Sequence, residues 1–170
     1  MELQPTLEGK LVTLRPTVAE DWDEMFAVAS DPMIWAGHPA KDRCQEPVFR
    51  RYFADALASG GGITIRDAAT GAVIGASRYG PRDSADEIEI GWSFLACAYW
   101  GRGYNREAKW LMIDHAHRFV SAVMFIVGED NIRSRKAMEN IGGVLRDDED
   151  QYREMGGVMV RHIAYEIRRA

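Results

Sequence analysis

The segment Trp100-Gly101-Arg102-Gly103-Tyr104-Asn105 stands between two patterned stretches, and its reading decides the fold. Before it, Ile88, Ile90, Trp92 and Phe94 alternate with Glu87, Glu89, Gly91 and Ser93, the period-two pattern of a half-buried strand. After it, Ala108, Leu111, Met112, His115, Ala116 and Phe119 trace one face of a helix. A glycine loop between strand and helix aims backbone N–H groups and the positive end of the helix dipole at an anion. Gly101 and Gly103 lack a Cβ, so a phosphate can approach the main chain closely. Two glycines this close also make ordinary turns, so the loop alone does not choose its ligand. A dinucleotide fingerprint needs a third glycine where Arg106 stands, and a nucleotidase phosphate loop needs a Gly-Lys-Ser or Gly-Lys-Thr that is absent.

Working outward, Ala122 to Val127 is a continuous apolar run, expected of a strand covered on both faces, and it completes a strand-helix-strand crossover. A short helix from Asn131 to about Ile141 stops at Gly142-Gly143. Tyr152 to Met155 and Val158 to Ile167 read as a hairpin around Gly156-Gly157, preceded by Asp147-Asp148-Glu149-Asp150 as a solvated turn. Upstream, Leu11 to Arg15 is a strand ended by Pro16. Thr17 is placed to cap a helix through about Ala29, with Glu20 completing a capping box. A second helix is expected from Pro47 to about Ala58. Ile63 to Arg66 and Val73 to Tyr79 read as a hairpin joined by Asp67 to Gly71. The sum is an α/β fold with a mixed sheet, as one domain over residues 1–170.

The chain has 170 residues, 46% of them hydrophobic and 28% charged, which suits a globular domain. A net charge of -5 argues against sequence-independent nucleic-acid binding and fits a small amine or a basic protein substrate. Cys44 and Cys97 form no CxxC pair, so neither a disulfide framework nor a thiolate metal cage is expected. The stretch Met1 to Lys10 contains Glu2, Gln4, Pro5 and Glu8 in place of a basic segment followed by an apolar one, and no apolar run reaches the ~18 residues of a membrane span. A cytoplasmic location is expected. His115 and His117 lie two apart on a helix and face different ways, a poor metal pair.

Asn131-Ile132-Arg133-Ser134 follows the apolar strand directly and precedes Ile141-Gly142. Taken in order with Glu89-Ile90-Gly91-Trp92 and Tyr99-Trp100-Gly101-Arg102-Gly103, it resembles the GNAT superfamily of acyl-CoA-dependent N-acetyltransferases, and within it the RimJ/RimL branch. The likeness runs from Leu14-Arg15-Pro16 to the closing hairpin. It implies two central parallel strands that splay apart to admit acetyl-CoA, with no metal. On the resemblance, the backbone of Phe94, Leu95 and Ala96 would bond the pantetheine amides. Gly101, Arg102, Gly103, Tyr104 and Asn105 would hold the pyrophosphate, and Asn131 would contact the pantetheine arm. Arg133, Arg135 and Lys136 would reach the adenosine phosphate or form a solvated helix face.

Acetyl transfer needs a neutral amine, a polarised thioester carbonyl and a proton for the departing thiolate. Glu89 matches the family's strand glutamate and would take the amine proton, directly or through water; its structural alternative is an ion pair with an arginine. Glu87, on the same face, stands in reserve. Ser134 matches a position that would donate to the thiolate; its alternative is to satisfy the first helical turn. The chain departs from the wider superfamily at Met138, where many members carry a proton-donating tyrosine, and at Ala98, where many carry Gln or Arg. His38, in a loop with Trp35 and Pro39, would border the acceptor pocket, whereas no partner is evident for His162. A covalent acetyl-cysteine route through Cys97 is set aside because no charge is placed to lower its pKa. The expected partners are a small-molecule amine or a protein N-terminus, with a homodimer open and neither nucleic acid nor membrane. The rival function is a non-catalytic acyl-CoA sensor on the same fold.

Overall fold

Runs of β-branched and aromatic residues punctuated by glycine generate the strands, and the structure, a computed structural model, describes residues 1–169. In chain order the strands are β1 (Leu7–Glu8), β2 (Val12–Pro16), β3 (Gly62–Asp67), β4 (Val73–Pro81), β5 (Glu87–Leu95), β6 (Ala122–Gly128), β7 (Val144–Met155) and β8 (Val158–Arg168). The α-helices are α1 (Trp22–Ala29), α2 (Pro32–Trp35), α3 (Glu46–Ala58), α4 (Tyr104–Ala116) and α5 (Ile132–Asn140). The strands form one sheet in the order β1-β2-β3-β4-β5-β6-β8-β7. Every neighbouring pair is antiparallel except β5 and β6. The mixed α/β architecture read from the sequence is the one observed.

Two apolar clusters cover the two faces. Ala108, Met112 and Ile113 of α4 and Met138 of α5 pack with Ile74, Ile88 and Ile90 on one face. Met25 of α1, Trp35 of α2 and Phe49, Tyr52 and Phe53 of α3 pack with Ala76 and Phe94 on the other. The strict alternation expected along β5 therefore breaks: Ile90 and Phe94 lie on opposite faces. The cause is a bulge. Ala76 faces Phe94 while Arg78 faces Gly91, so β5 carries one residue more than β4 over that span, and Trp92 takes φ 51. One inserted residue moves every later side chain to the other face. Tyr52 donates its hydroxyl to the Trp92 carbonyl at 2.6 Å, which holds the left-handed residue in place.

Three other expectations change. A 3-10 turn at Ala19–Asp21 precedes α1. The Asp21 carboxylate, and not a Thr17–Glu20 box, accepts the Val18 N–H at 3.1 Å, while the Thr17 hydroxyl accepts from Thr64 at 3.1 Å. Of the face expected on α4, Ala108, Met112, His115 and Ala116 are buried; Lys109 and Ile113 join them, and Phe119 is 51% exposed beyond the helix end. Asp147 to Asp150 lies inside β7, at a break in its pairing with β8 between Arg146 and Gln151. Asp147, Asp148 and Asp150 are exposed, as a solvated stretch would be, while Glu149 pairs with Arg82 and Arg146, Asp148 with Arg146 and Asp150 with Arg161. Among the described residues no helix is long and apolar enough to cross a membrane.

Candidate active site

β5 and β6 pair only at Glu87–Ala122, Ile88–Val123 and Glu89–Met124, and beyond that fork they part. A cleft of about 440 Å³ fills the gap, walled by Ser93, Phe94 and Leu95 on one side and Phe125, Ile126 and Val127 on the other. Because α4 and α5 lie on one face of the sheet and α1 to α3 on the other, its lining is drawn from both layers.

At the α4 and α5 side stands the glycine loop, of which Gly101 and Asn105 line the cleft and Arg102, Gly103 and Tyr104 do not. Gly101 has φ 69, and Gly103 has φ 88 as the residue before α4, values that a side chain disfavours. The first α-helical bond of α4 runs from Glu107 N–H to Gly103 O, which leaves the N–H groups of Tyr104, Asn105 and Arg106 without helical acceptors. The Glu107 carboxylate accepts the N–H groups of Lys10, Leu11 and Val12 at 3.0, 2.7 and 2.8 Å and locks this helix start to β2. Gly101, Asn105, Asn131, Arg133, Ser134 and Lys136 line the adjoining cleft. Asn131 caps α5, its Oδ1 accepting the Ser134 N–H at 3.3 Å, and among the described residues the Ser134 hydroxyl has no partner. Arg133 stacks over Trp100 at 3.5 Å. Free donors at a helix start beside two cations suit a pyrophosphate.

The remaining residues picked from the loop are placed differently. The Arg102 guanidinium folds back, donating to Ala98 O at 3.2 Å and lying 5.8 Å from the centre of the Tyr104 ring, which in turn packs edge-on to Tyr99. Ala96 commits its N–H to Ile74 O at 2.8 Å and its carbonyl to Tyr99 N–H at 3.0 Å. Of the three strand residues, Phe94 and Leu95 line the cleft. Arg135 turns away to the Glu129 carbonyl and Tyr165.

Glu89 stands at the fork, 5% exposed, with Oε1 3.6 Å from Arg153 Nη2. Burial raises its pKa, against the pull of Arg153 and Arg82. Glu87 is drawn off into ion pairs with Arg146 at 2.7 Å and Arg82 at 3.8 Å and does not line the cleft. Around Glu89 gather His38 and Pro39 from the loop after α2, Arg153 and Met155 from β7, and His162 from β8. Gly128 allows this, since a Cβ there would lie 2.5 Å from Pro39 Cγ. His38 accepts the Ala40 N–H on Nδ1 at 2.9 Å, and burial, with Arg43 and His162, pushes its pKa down to about 3. His162 Nδ1 lies 3.0 Å from the Val160 carbonyl, which assigns the proton to Nδ1 and leaves Nε2 unprotonated. Burial lowers the His162 pKa as well.

Sequence reasoning passed over Lys109. It is 5% exposed and lines the cleft between β5 and β6, with Nζ on the hydroxyls of Ser93 and Ser77 and 5.6 Å from the centre of the Phe125 ring. Burial pushes its pKa from 10.5 down to about 7. The signal was present in the chain: Lys109, Met112, Ile113 and Ala116 share one helical face, and a lysine among three apolar residues is out of place. Burial and the nearby Asp31 carboxylate raise the Cys97 pKa, which opposes thiolate chemistry there. Among the described residues no three His, Cys, Asp or Glu side chains gather as metal ligands.

The site is thus a parallel pair that opens beside a helix start with free N–H groups, with a buried carboxylate at its fork. The chain belongs to the acetyltransferase (GNAT) domain family, whose model matches residues 12–144. Members of that family take acetyl-CoA as donor. No curated protein sequence matches the chain. Among solved structures, a GCN5-related N-acetyltransferase from Brucella melitensis superposes with TM-score 0.82 at 21% identity, covering 97% of this chain and 79% of that one. A Vibrio cholerae protein provisionally described as a ribosomal-protein-serine acetyltransferase gives 0.75 at 12%, covering 99% and 100%. The microcin C7 self-immunity acetyltransferase MccE, solved with acetyl-CoA and AMP, gives 0.74 at 13%, covering 98% of each. Identities this low speak for the fold.

Proposed function

We propose that the chain, as one N-acetyltransferase domain over residues 1–170, transfers the acetyl group of acetyl-CoA directly to a primary amine. The observation that carries this is the opened β5–β6 pair, with free N–H groups of α4 at its cofactor mouth and Glu89 at its fork. The glycine loop, Asn105, Arg133 and Lys136 hold the phosphates, and Phe94, Leu95 and Asn131 border the pantetheine arm. Glu89 takes a proton from the amine, the amine nitrogen attacks the thioester carbonyl, and the carbon–sulfur bond breaks. The departing thiolate takes a proton from Ser134 or water, because the Met138 thioether cannot supply one. Motif order and the likeness to the Vibrio cholerae protein support a RimJ/RimL-like assignment and a cytoplasmic enzyme, with a protein N-terminus or a small amine as acceptor.

Two measurements test the assignment. Gly101→Glu brings a carboxylate to the cleft wall where the pyrophosphate is placed and is expected to weaken acetyl-CoA binding by about 100-fold or more in calorimetry. Gly101→Asn, which tolerates positive φ, separates charge from backbone strain and should retain binding within about tenfold. Tighter binding of ATP than of acetyl-CoA would overturn the assignment. Ser134→Ala is expected to lower kcat about tenfold with the acetyl-CoA KM nearly unchanged, and unaltered turnover would remove Ser134 from the mechanism. Acetyl-CoA binding without CoA release across a broad amine and peptide panel would mark the chain as a sensor.

A further inference from the structure

Resting on the acetyl-transfer assignment above, we infer that the acceptor is an amine that also carries a carboxylate or phosphate, and that Arg43 is the residue that binds this anionic group. The cleft is basic although the chain is acidic: Arg43, Lys109, Arg133, Lys136 and Arg153 line it against Glu89 alone, in a protein of net charge -5. Four of these cations have an occupation. Arg133 and Lys136 stand on α5 beside the glycine loop, where the cofactor phosphates belong. Arg153 faces Glu89 at 3.6 Å, and Lys109 rests on the Ser77 and Ser93 hydroxyls.

Arg43 has none. It sits in the short turn Lys41–Cys44, in the layer of α1 to α3. Its guanidinium lies 5.3 Å from the centre of the Trp35 ring and 5.2 Å from that of Tyr52. Among the described residues it forms neither an ion pair nor a hydrogen bond; its chain neighbour Asp42 attracts it through space without pairing. Arg78 crowds the same ring at 5.5 Å and adds repulsion, its own carboxylate attraction coming only at a distance from Asp55. A half-buried cation that faces a second cation and is paired with no anion is costly to maintain, and such groups concentrate where a ligand completes them. The two aromatic rings flank the guanidinium without engaging its N–H groups in hydrogen bonds, which leaves them for a two-point contact with a carboxylate or phosphate. Glu89, across the same cleft, takes the amine of the same molecule.

The test uses matched acceptors in a CoA-release assay: L-phenylalanine against L-phenylalaninamide for the carboxylate, and 3-aminopropyl phosphate against 3-aminopropanol for the phosphate. The intact protein should favour the acidic member of at least one pair by about tenfold or more in kcat/KM, and which pair responds identifies the anion. Arg43→Met, which keeps the apolar stack, should erase that preference with the acetyl-CoA KM unchanged, and Arg43→Lys should restore part of it. Equal or better turnover of the neutral members, or a preference that survives Arg43→Met, overturns the inference. A readout independent of turnover is the binding of N-acetyl-L-phenylalanine and N-acetyl-3-aminopropyl phosphate, each against its neutral counterpart, to CoA-loaded protein. If Arg43→Met weakens no acidic ligand selectively, the inference fails. Failure of acetyl-CoA to bind at all would instead sink the acetyl-transfer assignment, so the two failures are distinguishable.

Discussion

Glu89→Gln is expected to lower kcat/KM by about 10²- to 10³-fold while acetyl-CoA binds as before, because the substitution keeps shape and polarity but removes the proton acceptor at the fork. The pH profile supplies the sharper readout. Burial raises the pKa of Glu89, so activity should fall as the pH drops through that raised value, and this limb should vanish in the variant. Stability moves the other way. For a carboxyl whose folded pKa lies above its unfolded one, the fold loses stability as pH rises from the unfolded to the folded value. The neutral glutamine escapes that loss at neutral pH. A Glu89 that served only as a partner for Arg153 would give a variant with turnover within about threefold of the parent.

The second large effect is on stability. Lys109→Met should stabilise the fold at pH 7, because a lysine that titrates at about 7 when folded and 10.5 when unfolded gives the unfolded chain a proton the folded chain lacks. Stability of the parent therefore falls as pH drops from about 10.5 to about 7 and levels off below. The variant, with nothing to titrate there, should match the parent near the top of this window and exceed it by about 3–5 kcal/mol at the bottom. Methionine fills similar space beside Phe125, and Ser77 and Ser93 hydrogen-bond each other at 2.8 Å, so the exchange leaves no polar group stranded. Denaturant melts at pH 7 and pH 10 would show the gap closing. A variant less stable than the parent at pH 7 would mean that the hydroxyl contacts outweigh burial. A lysine kept against this cost lines the cleft between Ser93 and Phe125, in keeping with the exchange of stability for function at active sites.

Some of this was legible from the chain. The crossover from Glu87 to Gly128, the glycine loop before α4 and the Asn131 cap of α5 each depend on residues a few positions apart, and local periodicity and capping report such features directly. The places of Glu89 and Ser134 beside one cleft followed from motif order for the same reason.

Other features depend on what comes from afar. The bulge at Trp92, which sends Ile90 and Phe94 to opposite faces, is set by pairing with β4 and by the hydroxyl of Tyr52, forty positions away in sequence. The acidic run is solvated as read, but its place inside β7 and its ion pairs with Arg82, Arg146 and Arg161 come from distant segments. Arg43, Arg153 and His162 carry no mark of a shared site in the sequence, since each is brought in by a different segment. Thus the sequence by itself determined the class of fold and the order of strand, glycine loop and helix, because short-range backbone geometry and glycine placement encode them, while the donor followed from the likeness to a family. Only the tertiary structure decided which charges remain unpaired in the cleft, because charge compensation is a sum over neighbours that long-range strand pairing chooses.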